Sequence, residues 1–471
     1  MSEPNFPENF ISTLNKEPGF DAGNFINAHQ NIESPTSIRL NAFKKHSIKT
    51  NGQVPWCTDG YYLAIRPSFT FDPLFHAGCY YVQEASSMFI EHILKTVRPN
   101  HDEPIKVLDL CAAPGGKSTL INSAISADDL LVANEIIKTR VPVLCDNLNR
   151  WGTANVVVSN NDPKDFSRLT GFFDIILVDA PCSGSGMFRK DPTAMNEWSE
   201  ANISLCHQRQ ERILADVYPA LKEDGYLIYS TCSYSHQENE EILDWLCDTF
   251  EMESISIPIY KDWGIVETRS EKHKAFGYRF YPGQVKGEGL FAACLRKKDL
   301  ADESPSFKTK GHQKLALQEI DMVKRYLVEP ENYYYNKIND DWLAINRVHR
   351  ESLDTLQRHL YIKKSGVNIG KLMGKDLVPD HELALSIHMN KNAFLQTDLN
   401  YEQAIQYLRR ENIDINTTDK GWSLMCFEGQ PLGWAKLLPN RINNYYPKEI
   451  RIFSPPPPKG GEEPDRIDIA S

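Results

Sequence analysis

The stretch "IKVLDLCAAPGGKST" (105–119) decides the fold. Its first six residues read as a buried strand. Gly115 and Gly116 supply a tight turn, and Lys117-Ser118-Thr119 open a helix. A glycine loop entering a helix N-terminus lets backbone N–H groups approach a ligand and favours a carboxylate or phosphate there. It is not a phosphate-binding GxxxxGK[ST] loop, because the first glycine would have to stand at 111, where the chain has Cys111. Taken alone, a plain strand-to-helix turn accounts for these residues equally well.

Working outward, the same rhythm recurs. "LLVANE" (130–135), "NVVVSN" (155–160), "FDIILVD" (173–179) and "GYLIYST" (225–231) are short apolar runs, separated by amphipathic stretches such as 136–150 and 203–222. Strand and helix alternating at this spacing predict βαβ units, an α/β fold and a parallel sheet covered on both faces. Ligands of such sheets bind beyond the carboxyl ends of the strands. Glu135 stands at the second strand end, about 20 residues past the glycine turn, where an acid commonly holds ribose hydroxyls. Asp162 follows the third strand and Asp179 the fourth. Each acid alone is explained as a solvated residue, a helix cap or a turn acid. Four ligand-type features at four successive strand ends describe a pocket for a nucleoside-bearing cofactor that lacks the GxGxxG fingerprint.

Two thiols complete the pattern. "VDAPCSGSG" (178–186) places Cys182 just past Asp179, and "STCSYSHQENEE" (230–241) places Cys232 just past the fifth strand. They are 50 residues apart in the chain, yet the topology makes their strands neighbours. A lone cysteine is usually a small buried hydrophobe; these two fall in polar loops. None of the ten cysteines forms a CxxC pair or a Cys/His cluster of zinc spacing, so no metal is expected. Nucleophilic thiol chemistry is the leading reading. A protease is not, since His207 and His236 have no obvious Asn or Asp partner.

Composition sets the bounds. A chain of 471 residues suggests about three domains. A net charge of −11 argues mildly against a nucleic-acid enzyme, although it says nothing of local patches. The polar, acidic start "MSEPNFPENF" is no signal peptide, and no apolar run is long enough for a membrane span. A reducing cytoplasm is the expected home. The run 81–97 reads as one helix, 400–410 as another, and "CFEGQPLGWA" (426–435) as the turn of a hairpin in a small β-rich module.

The motifs "DLCAAPGGKST", "DAPCSGSGMFRKDP" and "STCSYSHQENEE" together resemble the Sun/Nop-type RNA cytosine-C5 methyltransferases, which use S-adenosylmethionine. "SIRLN" (37–41), "YYVQEASSM" (80–88), "NLNRWGTANV" (147–156) and "RFYPGQVKGEGLFAACLRK" (279–297) extend the resemblance over roughly residues 37–297. "GWAKLLPNRINNYYPKEIR" (433–451) resembles the C-terminal extension of the bacterial RsmF (YebU) branch, which methylates one cytidine of 16S ribosomal RNA near the decoding site. The resemblance implies a Rossmann-like methyltransferase domain at 99–298, preceded by an RNA-contacting lobe at 1–98. A linker and intermediate module at 299–379, a PUA-like RNA-binding module at 380–453 and a disordered tail at 454–471 would follow. It makes Cys232 the nucleophile, Cys182 the second thiol that assists proton removal or release, and Asp179 the group that holds the base. S-adenosylmethionine would lie against Cys111, Ala112, Ala113, Pro114, Gly115, Gly116 and Lys117, with Glu135 on its ribose, Asp162 on its adenine and Asp179 also within reach. Arg189 and Lys190 become candidate phosphate contacts, and Arg409, Arg410, Lys436 and Arg441 a candidate basic face. The implied partner is ribosomal RNA or the assembled small ribosomal subunit, met by a monomer in the cytoplasm.

Rival readings remain at this stage. A DNA cytosine methyltransferase would attack with the thiol of its Pro-Cys loop and so promote Cys182. An amino-group methyltransferase would carry a [DN]PP[YFW] loop where this chain has Asp-Ala-Pro-Cys (179–182). A tRNA substrate, or a catalytically silent ribosome assembly factor, would keep the same modules.

Overall fold

The computed structural model describes residues 6–454 apart from 32, 46–47, 49, 51, 99–102, 300–314, 416 and 440. The expected tail after Ser454 and most of the expected linker lie outside the described residues.

Five parallel strands form the centre: β1 (Lys106–Asp109), β2 (Leu130–Asn134), β3 (Val156–Ser159), β4 (Phe173–Asp179) and β5 (Leu221–Thr231). Their order is β5-β4-β1-β2-β3, so the chain switches direction across the sheet between β1 and β4. In open α/β sheets the crevice at such a switch point is the ligand site. β6 (Met252–Ser254), β7 (Val266–Arg269), β8 (Phe276–Phe280) and β9 (Leu290–Lys297) extend the β5 side, with β9 antiparallel to β5. β10 (Ile362–Ser365) pairs antiparallel with β3 and closes the other edge. The sheet therefore reaches beyond residues 99–298 and recruits four residues of the segment read from sequence as an intermediate module.

The middles of the strands are apolar because both faces are covered. Val107, Leu131, Val158, Ile175 and Leu177 face α1 (Gly116–Ala124), α2 (Val141–Trp151) and the helix Phe89–Val97. Their neighbours Leu108, Val132, Val157, Ile176 and Val178 face α3 (Glu200–Val217) and α4 (Glu240–Thr249). Alternate residues of one strand feed two separate cores, as the period of two requires.

The N-terminal lobe carries helices that include Phe10–Leu14, Ala22–Asn31 and Pro73–His76, and a three-stranded antiparallel sheet of Gly60–Tyr62, Ser37–Leu40 and Tyr80–Val82. The single helix read over 81–97 is thus corrected: its first residues pair with Ile38–Leu40, and the α-helix begins at Phe89. Tyr80, Tyr81 and Val82 are better strand than helix formers, and the lobe sheet gives them a partner. Tyr333–Ile338, Asp341–Asn346, Val367–Met373 and Asp376–Pro379 form a four-stranded antiparallel sheet. The C-terminal module pairs Gly421–Phe427 with Gln430–Leu438 through Glu428 and Gly429, both at positive φ, 49° and 72°. That pair of left-handed residues is the two-residue turn that suits a twisted hairpin. Helix Tyr401–Arg409 packs beside it with an Asn400/Gln403 capping box.

Candidate active site

The site lies at the carboxyl ends of β1, β2, β3, β4 and β5. Asp179 closes β4 directly opposite Ser230 of β5. Its Oδ1 accepts from Ser230 Oγ at 2.7 Å and its Oδ2 from Lys117 Nζ at 2.7 Å. Burial alone would pull the Lys117 ammonium down. The charge and hydrogen bond of Asp179 outweigh it, and the lysine is held above its ordinary range. The Cys232 sulfur also lies within electrostatic reach of Lys117.

Both thiols are half-buried and free, and their sulfurs stand 3.1 Å apart. The hydrogen bond to Cys232, followed by burial, pushes the Cys182 thiol well above the usual cysteine range. The contact favours the protonated form of Cys182, and either sulfur can donate in it. The two loops are stitched together along their backbones: Gly186 N–H donates to Cys232 O at 2.7 Å, and Tyr234 N–H to Ser185 Oγ at 2.9 Å. A Cβ on Gly186 would stand 2.8 Å from the carbonyl oxygens of Cys232 and Gly289, so only glycine lets the loops approach this closely.

The loop 111–117 is held from three directions. Ala112 N–H donates to Asn134 O at 2.8 Å, Asn147 Nδ2 to Pro114 O at 2.7 Å, and Arg140 Nη2 to Ala113 O at 2.6 Å. Gly115 adopts φ 112° at the N-cap of α1. From the lobe, the buried Arg39 reaches Thr119 Oγ1 at 2.6 Å and Ser123 Oγ at 3.2 Å while lying 4.4 Å over the Trp151 ring. The sequence noted "SIRLN" without giving Arg39 this task; a buried arginine in a strand has no local sequence signal. Glu135 is buried, accepts from Ile137 N–H at 2.7 Å and faces Arg140 at 3.5 Å. Beyond it, the apolar Ile136 and Ile137 are about half exposed at 47% and 48%. Asp162 caps the turn after β3, accepting from Lys164 N–H at 3.1 Å.

Asp109, at the end of β1, was not singled out from sequence, although it shares the strand-end position of the other acids. It is fully buried; Ser118 Oγ donates to its Oδ2 at 2.6 Å, and its Oδ1 has no hydrogen-bond partner among the described residues. Burial pushes its carboxyl up to about 7. The folded chain thus holds a proton that the unfolded chain loses near pH 4. The stability this group contributes is present below about pH 4 and is lost as pH rises through 7. Asp109→Asn is expected to gain stability over the parent between pH 5 and pH 8, by about 1–3 kcal/mol. Urea midpoints at the two pH values check this; an equal difference at both would show that Asp109 ionises normally.

Several expected surface roles are corrected. Arg189 does not project toward solvent: its guanidinium lies bidentate on the buried Glu288, at 2.9–3.1 Å, and also donates to Gly287 O. Lys190 remains exposed. Arg409 is held by Glu411 and Ser454 O, and Arg410 by Tyr446 O, which leaves Lys436, 5.6 Å over the Trp422 ring, and the exposed Arg441. Glu17, His236 and Glu240 bring three ligand-type atoms together, but Arg279 lies against both carboxylates, so the cluster is an ion-pair network joining the lobe to α4. Among the described residues no helix is long and apolar enough to cross a membrane.

Comparison with known proteins agrees with this geometry. Residues 94–296 match the family described as 16S rRNA methyltransferase RsmB/F. Residues 6–85 match the N-terminal domain of 16S rRNA methyltransferase RsmF, and residues 394–452 its PUA domain. The ribosomal RNA small subunit methyltransferase F of Psychromonas ingrahamii is 31% identical over 88% of this chain and 90% of its own length. That of Aliivibrio salmonicida is 30% identical over the same shares. Among solved structures, a methyltransferase homolog from Pyrococcus horikoshii aligns at TM-score 0.52 and 28% identity over 62% of this chain and 96% of its own. The strand-end pocket, the paired thiols and the flanking modules thus have one common explanation, and the chain belongs to the ribosomal RNA small subunit methyltransferase F family.

Proposed function

We propose that this protein methylates carbon 5 of one cytidine in 16S ribosomal RNA, in the cytoplasm, through a transient bond between Cys232 and carbon 6 of the base. The observation that carries the reading is the contact of Cys182 and Cys232 beside the Lys117–Asp179 pair.

The residues at the strand ends suit S-adenosylmethionine by their chemistry. The loop 111–117 and the N-terminus of the nine-residue α1 offer backbone donors to the carboxylate of the methionine part. Glu135 offers an acceptor to the ribose hydroxyls, Asp162 one to the adenine amino group, and Ile136 an apolar wall. When bound, this cofactor supplies the electrophilic methyl group.

The protein's own residues do the rest. Cytosine carbon 5 is a poor nucleophile, and the target base must leave its stack to enter the pocket. The Cys232 thiolate adds to carbon 6, placing negative charge on the ring and electron density on carbon 5. Asp179 hydrogen-bonds the base at N3 or N4, and the Lys117 ammonium behind it stabilises the charge that develops. After methylation the carbon 5 proton passes to water, its bonding pair re-forms the carbon 5–carbon 6 double bond, and the Cys232 sulfur leaves as a thiolate. Cys182, 3.1 Å from Cys232, is the second thiol of this reading, assisting proton removal or release, and its contact with the sulfur that leaves favours release. The lobe and the C-terminal module hold the RNA, with Lys190, Lys436 and Arg441 as the uncommitted cations.

Bisulfite mapping of ribosomal RNA tests the reading. Deleting the gene is expected to remove one 5-methylcytidine from 16S RNA. The parent gene should restore it and a Cys232→Ala copy should not. Unchanged 16S RNA together with a lost methyl group on tRNA would move the substrate.

A further inference from the structure

Glu238 is fully buried, and no cation forms an ion pair with it among the described residues. Its carboxyl group is surrounded by hydrogen-bond donors instead. Ser183 N–H reaches Oε1 at 2.8 Å and Gln210 Nε2 the same atom at 3.2 Å. Ser183 Oγ and Ser233 Oγ both reach Oε2 at 2.5 Å. Ser183 is the residue after Cys182, and Ser233 the residue after Cys232. The two hydroxyls are themselves 3.1 Å apart. One side chain therefore ties together the positions that follow both thiols.

The surroundings fix Glu238 in turn. Tyr229 OH donates to its carbonyl oxygen at 2.7 Å, anchoring it to β5. Gln210 of α3 also donates to Pro181 O at 3.0 Å, just before Cys182. The next residue, Asn239, donates to Ser233 O at 2.8 Å and accepts from Thr231 Oγ1 at 2.7 Å. Four donors on two oxygens satisfy a buried carboxyl group, so the arrangement is not a stranded acid. Nor is it a core contact with interchangeable parts: an apolar residue of the same volume would leave Ser183 N–H without a partner and the two hydroxyls tied to each other rather than to a shared carboxyl group.

We propose that Glu238 is a positioning residue for the two-thiol chemistry, setting the separation of the Cys182 and Cys232 sulfurs. It touches neither base nor cofactor and acts through the serine beside each thiol. Past the ladder of β4 and β5 the two loops are joined by Gly186 N–H to Cys232 O and Tyr234 N–H to Ser185 Oγ, contacts that leave the side-chain ends beside the thiols to be set by other groups. Glu238 clamps them one residue past each sulfur. The catalytic part of the inference rests on the function proposed above; the geometric part does not.

Two readouts separate these parts. The first is the rate at which diamide closes Cys182 and Cys232 into a disulfide in the full chain without RNA, followed by mass spectrometry of unreduced peptides. Glu238→Gln is expected to slow closure about 10-fold and Glu238→Ala more, since a drifting pair meets the narrow geometry of the bond less often. The second is turnover: kcat on 16S RNA should fall about 100-fold, with KM and S-adenosylmethionine affinity by calorimetry unchanged. Should either variant fail to fold, the double variant Ser183→Ala/Ser233→Ala removes two of the four donors and should shift both readouts in the same direction. Parental closure and kcat in a folded variant would overturn the proposal. So would a fall in kcat that only tracks the unfolded fraction. Slowed closure in a protein inactive on 16S RNA would uphold the clamp and defeat the proposed function instead.

Discussion

Cys232→Ala is expected to lower turnover by about 10⁴-fold or more, the scale on which enzymes lose an attacking side chain. It should form no stable adduct with RNA carrying 5-fluorocytidine at the target. Fluorine at carbon 5 blocks the proton loss that precedes release, so any enzyme able to attack carbon 6 is trapped. Cys182→Ala is expected to differ in kind. It retains the thiol proposed to attack, beside Lys117, and loses the sulfur in contact with it. Turnover should fall about 100-fold, the share typical of a positioned proton donor. Covalent complexes with ordinary cytidine RNA should accumulate and show as a shifted band on a denaturing gel. An adduct at Cys182 in the Cys232→Ala protein would reverse the two roles.

Asp179→Ala should be nearly as damaging. The substitution removes the acceptor proposed to hold the base, and such polar contacts contribute about 10²–10³-fold each. It also leaves the Lys117 ammonium without its carboxylate. Burial then meets only the weaker opposition of Asp109 and Cys232 and draws the lysine pKa down, so the positive charge beside the site weakens as pH rises. Asp179 is one-third exposed, so solvent screening limits the loss of folding stability to about 1–2 kcal/mol. Asp179→Asn separates the contributions, because it keeps the Ser230 hydrogen bond and removes the charge. The measurements are kcat/KM against pH and the thermal midpoint. A profile like the parent's for Asp179→Ala would exclude any part for the Lys117–Asp179 pair.

The sequence made the frame of this protein readable because its strands are short, apolar and separated by punctuation that local chemistry imposes. Gly115 and Gly116 mark one strand end; Pro181 and the small residues 183–186 mark another. Cys182 and Cys232 could be brought together on paper because a parallel sheet puts successive carboxyl ends on one side. Glu238 could not, since an acid before a helix is common and its partners are serines that carry no signal of their own. Arg189 misled for the opposite reason: a basic residue in a loop looks free until Glu288, 99 residues away, is found beneath it. Residues 81–97 misled because a strand partner 40 residues upstream outweighs a helical pattern. In each case the missing information was long-range pairing.

β10 has a consequence for how the molecule comes into being. The central sheet can assemble most of its ladder once residue 297 has been synthesised, but β3 then presents a bare edge. Such an edge is a template for pairing with other chains. It stays open until residues 362–365 arrive, and Tyr361 docks on Asn160 and Asn161 at the same step. Cutting the chain between 298 and 361 would therefore not release a finished catalytic unit. Translation of the C-terminal half is part of maturing the first, and the edge is sealed only in a chain that already carries most of its intermediate module.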